Sequence, residues 1–99
     1  MKTTILYIGK HPEILSIVVR LLNANEEWEA IGVAEEAEAK TVFESSKIDL
    51  VLLGCGLEPE SEEDLRSFFT KHSPDCKIIQ HYGGGSGLLR SEILYALES

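Results

Sequence analysis

The strongest constraint on the fold is the alternation between short apolar runs and longer stretches whose apolar residues have helical spacing. Four runs rich in β-branched and aromatic residues predict strands, at residues 3–8, 28–34, 48–53 and 77–82. A stretch with helical periodicity follows each run. Alternation of this length is typical of parallel strands joined by right-handed helical crossovers. The sequence therefore predicts an α/β fold with helices on both faces of a parallel sheet.

The predicted helices have recognisable starts and apolar faces. Pro12 occupies the favoured first position of the first helix, whose predicted apolar face is Ile14, Leu15, Val18, Leu21 and Leu22. The second helix is predicted over 35–46. We place Pro59 in a loop and predict that Ser61 caps the third helix, with Asp64 three residues later. The final helix follows Ser86 and presents Leu88, Leu89, Ile93, Leu94 and Leu97.

Composition excludes several classes of protein. The 99 residues predict one domain, and their net charge of −8 disfavours direct binding to nucleic acid or to an anionic membrane. The apolar runs are far shorter than the roughly 20 residues that span a bilayer. No segment of signal-peptide type begins the chain, and the two cysteines are too few for a disulfide framework. We therefore expect a cytoplasmic protein with reduced thiols.

Three local strings, in this order and spacing, resemble the receiver domains of bacterial two-component response regulators. They are residues 5–13 (ILYIGKHPE), 28–34 (WEAIGVA) and 48–54 (IDLVLLG), which look like the first three receiver strands and their following loops. The resemblance covers nearly the whole chain. It implies a flavodoxin-like sheet of four parallel strands in the order 2-1-3-4.

The residues that carry receiver chemistry do not transfer to this sequence. The acidic pair that would hold magnesium matches Gly9 and Lys10, and the phosphoacceptor aspartate matches Gly54. The hydroxyl-bearing residue after the fourth strand matches Gln80 or His81, and the receiver's later lysine has no counterpart. Phosphoryl transfer to aspartate needs a carboxylate and a divalent cation. We therefore expect no enzymatic activity and no cofactor.

A receiver also has another helix and strand before its last helix, which here have no counterpart. The fourth strand would then be an apolar edge with exposed backbone groups, of a kind that proteins usually cover. The resulting prediction is a homodimer through that edge, the last helix, or both, with interface candidates Ile79, His81, Leu89, Ile93 and Tyr95. The alternative is a monomer in which the last helix folds back over the edge.

The glycine-rich loop before the last helix is a candidate anion site. Backbone N–H groups of Gly83, Gly84, Gly85 and Ser86 could form a concavity for an anion. The alternative is a tight connection in which the glycines supply positive φ angles. No phosphate-loop lysine pattern is present.

A candidate metal site consists of His11, Cys55 and His81, which follow three strands that should be neighbours. The alternative is that these are ordinary loop residues, since the sequence has no short-range ligand pair. Cys55 could also be a reactive thiol near Lys10, or simply a small residue in a tight turn.

These observations predict a non-catalytic, degenerate receiver-like domain that mediates protein–protein association in signalling or transcriptional regulation. The alternative function is a small-ligand or anion-binding module that uses Gly9, Lys10, Gly54 and the glycine-rich loop.

Overall fold

A computed structural model describes residues 3–54, 57–80, 93 and 95. Strands and helices alternate along the chain. They are β1 (Thr3–Ile8), α1 (Pro12–Asn23), β2 (Trp28–Val33), α2 (Glu36–Ser45), β3 (Leu50–Leu53), α3 (Pro59–His72) and β4 (Lys77–Gln80). Ile93 and Tyr95 are helical and belong to the last part of the chain. No described helix has the length and apolarity that a membrane span requires.

The four strands form one parallel sheet in the order β2-β1-β3-β4, as the resemblance to receiver domains implied. The two central strands are the most apolar, and every residue of β3 is buried. This is the expected pattern for parallel strands that are covered on both faces. In register, Ile8 at the end of β1 pairs with Leu53 at the end of β3, and Leu53 pairs with Gln80.

Each face of the sheet packs against its own set of helices. On one face, Val18 and Leu22 of α1 and the fully buried Ile93 pack in a core with Tyr7 and Trp28. On the other face, α2 and α3 contribute the buried residues Ala39, Phe43, Leu65 and Phe69. Alternate residues of β1 divide between the two cores, which is the period-two pattern of a strand.

Several predicted boundaries need correction. Helix α3 begins at Pro59, so Ser61 lies within its first turn and is not the capping residue; proline suits the first helical position because it has no N–H to lose there. Glu58 is the N-cap residue, without a side-chain cap hydrogen bond. Strand β3 begins at Leu50, two residues later than predicted. Ile14 and Leu21 were predicted to lie on the buried face of α1, but 40% of each is exposed.

The structure describes three of the five predicted interface residues. Ile93 is fully buried within the core of the α1 face, so it is not available to a second chain without unfolding. Ile79 is half-buried and packs against the same core, whereas 77% of Tyr95 is exposed. His81 and Leu89 lie outside the described residues.

Candidate functional site

The carboxyl ends of the two central strands meet at two glycines. The Gly9 N–H donates to the carbonyl of Val33 at 3.1 Å, and the Gly54 N–H donates to the carbonyl of Ile8 at 2.7 Å. Both glycines are buried. In open α/β sheets this edge is where ligands bind, so these two positions define the candidate site.

The aromatic ring of Tyr7 occupies the space beside both glycines. A Cβ atom on Gly9 would lie 2.8 Å from Cε2 of Tyr7 and 3.0 Å from its Oη. A Cβ atom on Gly54 would overlap Oη of Tyr7 and lie 2.6 Å from Cζ. Only 1% of Tyr7 is exposed, so its ring has little freedom to move aside.

This packing gives a physical reason for the glycines. Gly9 directly follows β1, two residues after Tyr7, and a Cβ atom on Gly9 would face the Tyr7 ring on the same side of the sheet. From that side the ring extends past the end of the strand and covers the position beside Gly54. A Cβ on Gly54 would also lie 2.8 Å from the carbonyl oxygen of Ile8, which is backbone and cannot rotate away. Even an alanine would be crowded here, and an aspartate needs more room still.

Sequence reasoning missed this role of Tyr7, which it treated as one member of an apolar strand. The pattern Tyr7-x-Gly9, with a large aromatic residue and a glycine on one face, is the feature that could have indicated it. That pattern alone does not reveal the contact with Gly54, which is 47 positions further along the chain and becomes a neighbour only through β3 pairing.

Lys10, the charged residue next to Gly9, faces solvent. Lys10 is exposed, and its Nζ lies 3.9 Å from Oε2 of Glu35, the residue just before α2. An exposed ion pair of this length stabilises the fold little. The Lys10 ammonium therefore lies beside a carboxylate, an arrangement that does not favour an added anion.

The predicted metal candidates are only partly described. His11 is exposed and is the N-cap residue of α1; its carbonyl accepts a hydrogen bond from the Leu15 N–H at 2.9 Å. Cys55 and His81 lie outside the described residues, as do Gly83, Gly84, Gly85 and Ser86. For Gln80 the backbone at the end of β4 is described. Within the described parts of the chain, no three His, Cys, Asp or Glu side chains converge as metal ligands would.

A carboxylate at the amino edge of the sheet is hydrogen-bonded to backbone. Oδ2 of Asp49 accepts a hydrogen bond from the Thr4 N–H at 2.9 Å, and the Asp49 N–H donates to the Thr4 carbonyl at 2.9 Å. Asp49 therefore ties β3 to the start of β1. Beside it lies an open cleft of about 540 Å³, whose lining includes Lys47, His72, Asp75 and Cys76.

The thiol in this cleft is poorly suited to nucleophilic chemistry. Burial, with a smaller contribution from the Asp49 carboxylate, raises the pKa of the Cys76 thiol to about 11. At neutral pH the thiol is therefore protonated, and the thiolate is the reactive form.

Comparison with solved structures identifies the fold. A LuxR family DNA-binding response regulator from Silicibacter pomeroyi superposes with a TM-score of 0.79 at 16% identity, covering 97% of this chain and 91% of that one. A response regulator from Thermotoga maritima gives 0.71 at 21% identity, covering 97% and 80% of the two chains. A response regulator receiver domain protein from Clostridium thermocellum gives 0.71 at 24% identity, covering 97% and 75%.

Neither the scan against family models nor the search of curated proteins found a match. At sequence identities below 25%, these superpositions establish the fold and not the chemistry. The structural similarity covers nearly all of its length at high TM-scores. The chain therefore has the fold of response-regulator receiver domains.

Proposed function

We propose that this chain is a degenerate receiver-like domain, without phosphoryl-transfer chemistry, that acts through protein–protein association in signalling or transcriptional regulation. The observation that carries the proposal is the Tyr7 ring beside Gly9 and Gly54. In the resemblance to receivers, these two positions match one of the magnesium-binding acids and the phosphoacceptor. A tyrosine ring in their space leaves room for neither.

Electrostatics support the same proposal. A metal-assisted phosphoryl transfer concentrates carboxylates around a divalent cation, with counter-charges for the transferred oxygens. At the carboxyl ends of β1 and β3 this chain has glycines and an exposed lysine. Its Asp49 lies at the opposite edge of the sheet and is hydrogen-bonded to backbone.

A receiver fold without this chemistry still presents a set of surfaces that other proteins can bind. Fold and activity are separable, because chemistry depends on particular residues grafted onto a scaffold. The chain keeps a parallel sheet in the order β2-β1-β3-β4 with helices α1 to α3, while the Tyr7 ring fills the space beside Gly9 and Gly54. Association is therefore the role that this structure supports best.

The non-catalytic part of the proposal is tested by incubation with acetyl phosphate and Mg²⁺, followed by intact-mass analysis. A competent receiver domain, treated in parallel, serves as the positive control. We expect no added phosphoryl mass on this chain under conditions that label the control. A stoichiometric, acid-labile phosphoryl adduct would overturn the proposal.

A further inference from the structure

The outer face of α1 carries an apolar stripe that the fold leaves exposed. Ile17 is 57% exposed, and Ile14 and Leu21 are 40% exposed each. The same helix already buries Val18 and Leu22 against the sheet. Helix α1 therefore has more apolar surface than packing against its own domain requires. An exposed apolar surface of this kind indicates a contact with another molecule.

We propose that this face binds a second copy of the chain, with the two α1 helices packed antiparallel about a two-fold axis at Ile17. The proposal deepens the proposed association function and rests on it. It places self-association on α1 instead of on the edge of β4 and the last helix.

The first argument is the self-complementary arrangement of charges. Seen down the helix axis, Glu13 and Arg20 lie about 40° and 60° to one side of Ile17, and Ile14 and Leu21 lie about 60° and 40° to the other. Along the axis, Glu13 is about 6 Å before Ile17 and Arg20 about 4.5 Å after it. An antiparallel two-fold therefore brings Glu13 of one copy beside Arg20 of the other.

The same operation pairs the apolar residues. Ile14 is placed beside Leu21 of the second copy, and the two Ile17 side chains meet on the axis. An open hollow of about 440 Å³, lined by His11, Pro12, Glu13 and Ile14, lies at this end of the helix. It is positioned to receive the partner's Leu21. Within the described part of the chain, neither Glu13 nor Arg20 forms an ion pair that would compete.

The second argument is the distribution of charge over the molecule. The net charge of −8 makes association of two identical chains unfavourable unless their acidic surfaces stay apart. Helix α2 carries three acids against one base, and both α2 and α3 lie on the other face of the sheet. Helix α1 has one acid and one base. A contact through α1 holds the acidic faces of the two copies away from each other.

One helix face is small compared with the roughly 800 Å² per partner of a standard stable interface. We therefore expect a weak dimer in the micromolar range, populated at high local concentration. Sedimentation velocity over a concentration series measures its dissociation constant. Ile17→Glu places two carboxylates on the axis and should weaken the dimer by roughly a hundredfold. Circular dichroism checks that this variant, changed at an exposed position, remains folded.

The charge pair provides the sharper test. Glu13→Arg alone and Arg20→Glu alone each bring like charges together across the axis, so each variant should dimerise about tenfold more weakly than the wild type. Mixing the two variants in equal amounts restores both opposite-charge pairs. The mixture should therefore form a heterodimer with near wild-type affinity, which an interface elsewhere on the molecule does not predict.

Three results overturn the proposal. A wild-type chain that stays monomeric up to millimolar concentration excludes the dimer and leaves the filled site untouched. A dimer that persists in Ile17→Glu excludes α1 as the contact and favours a contact through the edge of β4. A dimer sensitive to Ile17→Glu, but with no recovery on mixing the two charge variants, excludes the antiparallel two-fold.

Discussion

The two edges of the sheet differ in how their side chains are packed and hydrogen-bonded. At the carboxyl edge, the Tyr7 ring packs into the space beside Gly9 and Gly54. At the amino edge, Asp49 binds the backbone of β1 beside an open cleft. The Tyr7 ring fills the space beside Gly9 and Gly54, whereas the Asp49 carboxylate beside the amino-edge cleft is hydrogen-bonded to backbone. Position in a fold therefore identifies where to look, while room and charge decide what a site can do.

The largest expected effect comes from removing the ring that fills the carboxyl edge. Tyr7→Ala deletes a fully buried aromatic side chain, and we expect the free energy of unfolding to fall by about 3–5 kcal/mol. Tyr7→Phe keeps the ring and should lose only about 1 kcal/mol. Chemical denaturation of both variants measures the difference. Equal and small losses would mean that the ring does not hold the edge together.

At the amino edge we expect a smaller effect. Asp49→Ala removes the acceptor of the Thr4 N–H and should lower the free energy of unfolding by about 1 kcal/mol. Asp49→Asn keeps an acceptor oxygen and serves as the matched control, with a loss smaller than that of the alanine variant. If both substitutions leave stability unchanged, the carboxylate is not what ties β3 to β1.

The smallest effect concerns Cys76 and depends on pH. The raised pKa of about 11 keeps the native thiol protonated while the unfolded chain ionises near its ordinary value of 9.0. The unfolded state then binds fewer protons than the native state, so this contribution to stability is lost as the pH rises from 9 towards 11. Between pH 8 and pH 10.5, the melting temperature should fall further for the wild type than for Cys76→Ser. The same fall in both chains would exclude burial of the thiol as its cause.

The sequence was sufficient for those parts of the fold that depend on local pattern. Strand β1 was predicted at its observed bounds because its apolar run ends at Gly9 and Pro12 soon begins a helix. The predicted start of α3 was wrong because Ser61 is a good capping residue, and because proline is as common in a loop as at the first position of a helix. On α1, apolar residues cover more than half of the helix, so spacing could not tell which of them are buried.

The state of the candidate site was harder to predict than the fold. The sequence indicated that the carboxylates of a receiver are missing from Gly9 and Gly54. It could not indicate what occupies their place, because the Tyr7 ring reaches Gly54 only through the pairing of β1 with β3. Contacts of this kind depend on side-chain direction within a packed core, which no local pattern encodes.

We infer that the Tyr7 ring and a side chain at position 54 exclude each other. The most direct test is a double-mutant cycle of Tyr7→Leu and Gly54→Ala, followed by the free energy of unfolding. In the wild-type background we expect Gly54→Ala to destabilise the protein by about 1–3 kcal/mol, as overpacking does. With Tyr7→Leu present, we expect that loss to shrink by at least about 1 kcal/mol. Equal losses in the two backgrounds would mean that the Tyr7 ring is not what excludes a side chain at position 54.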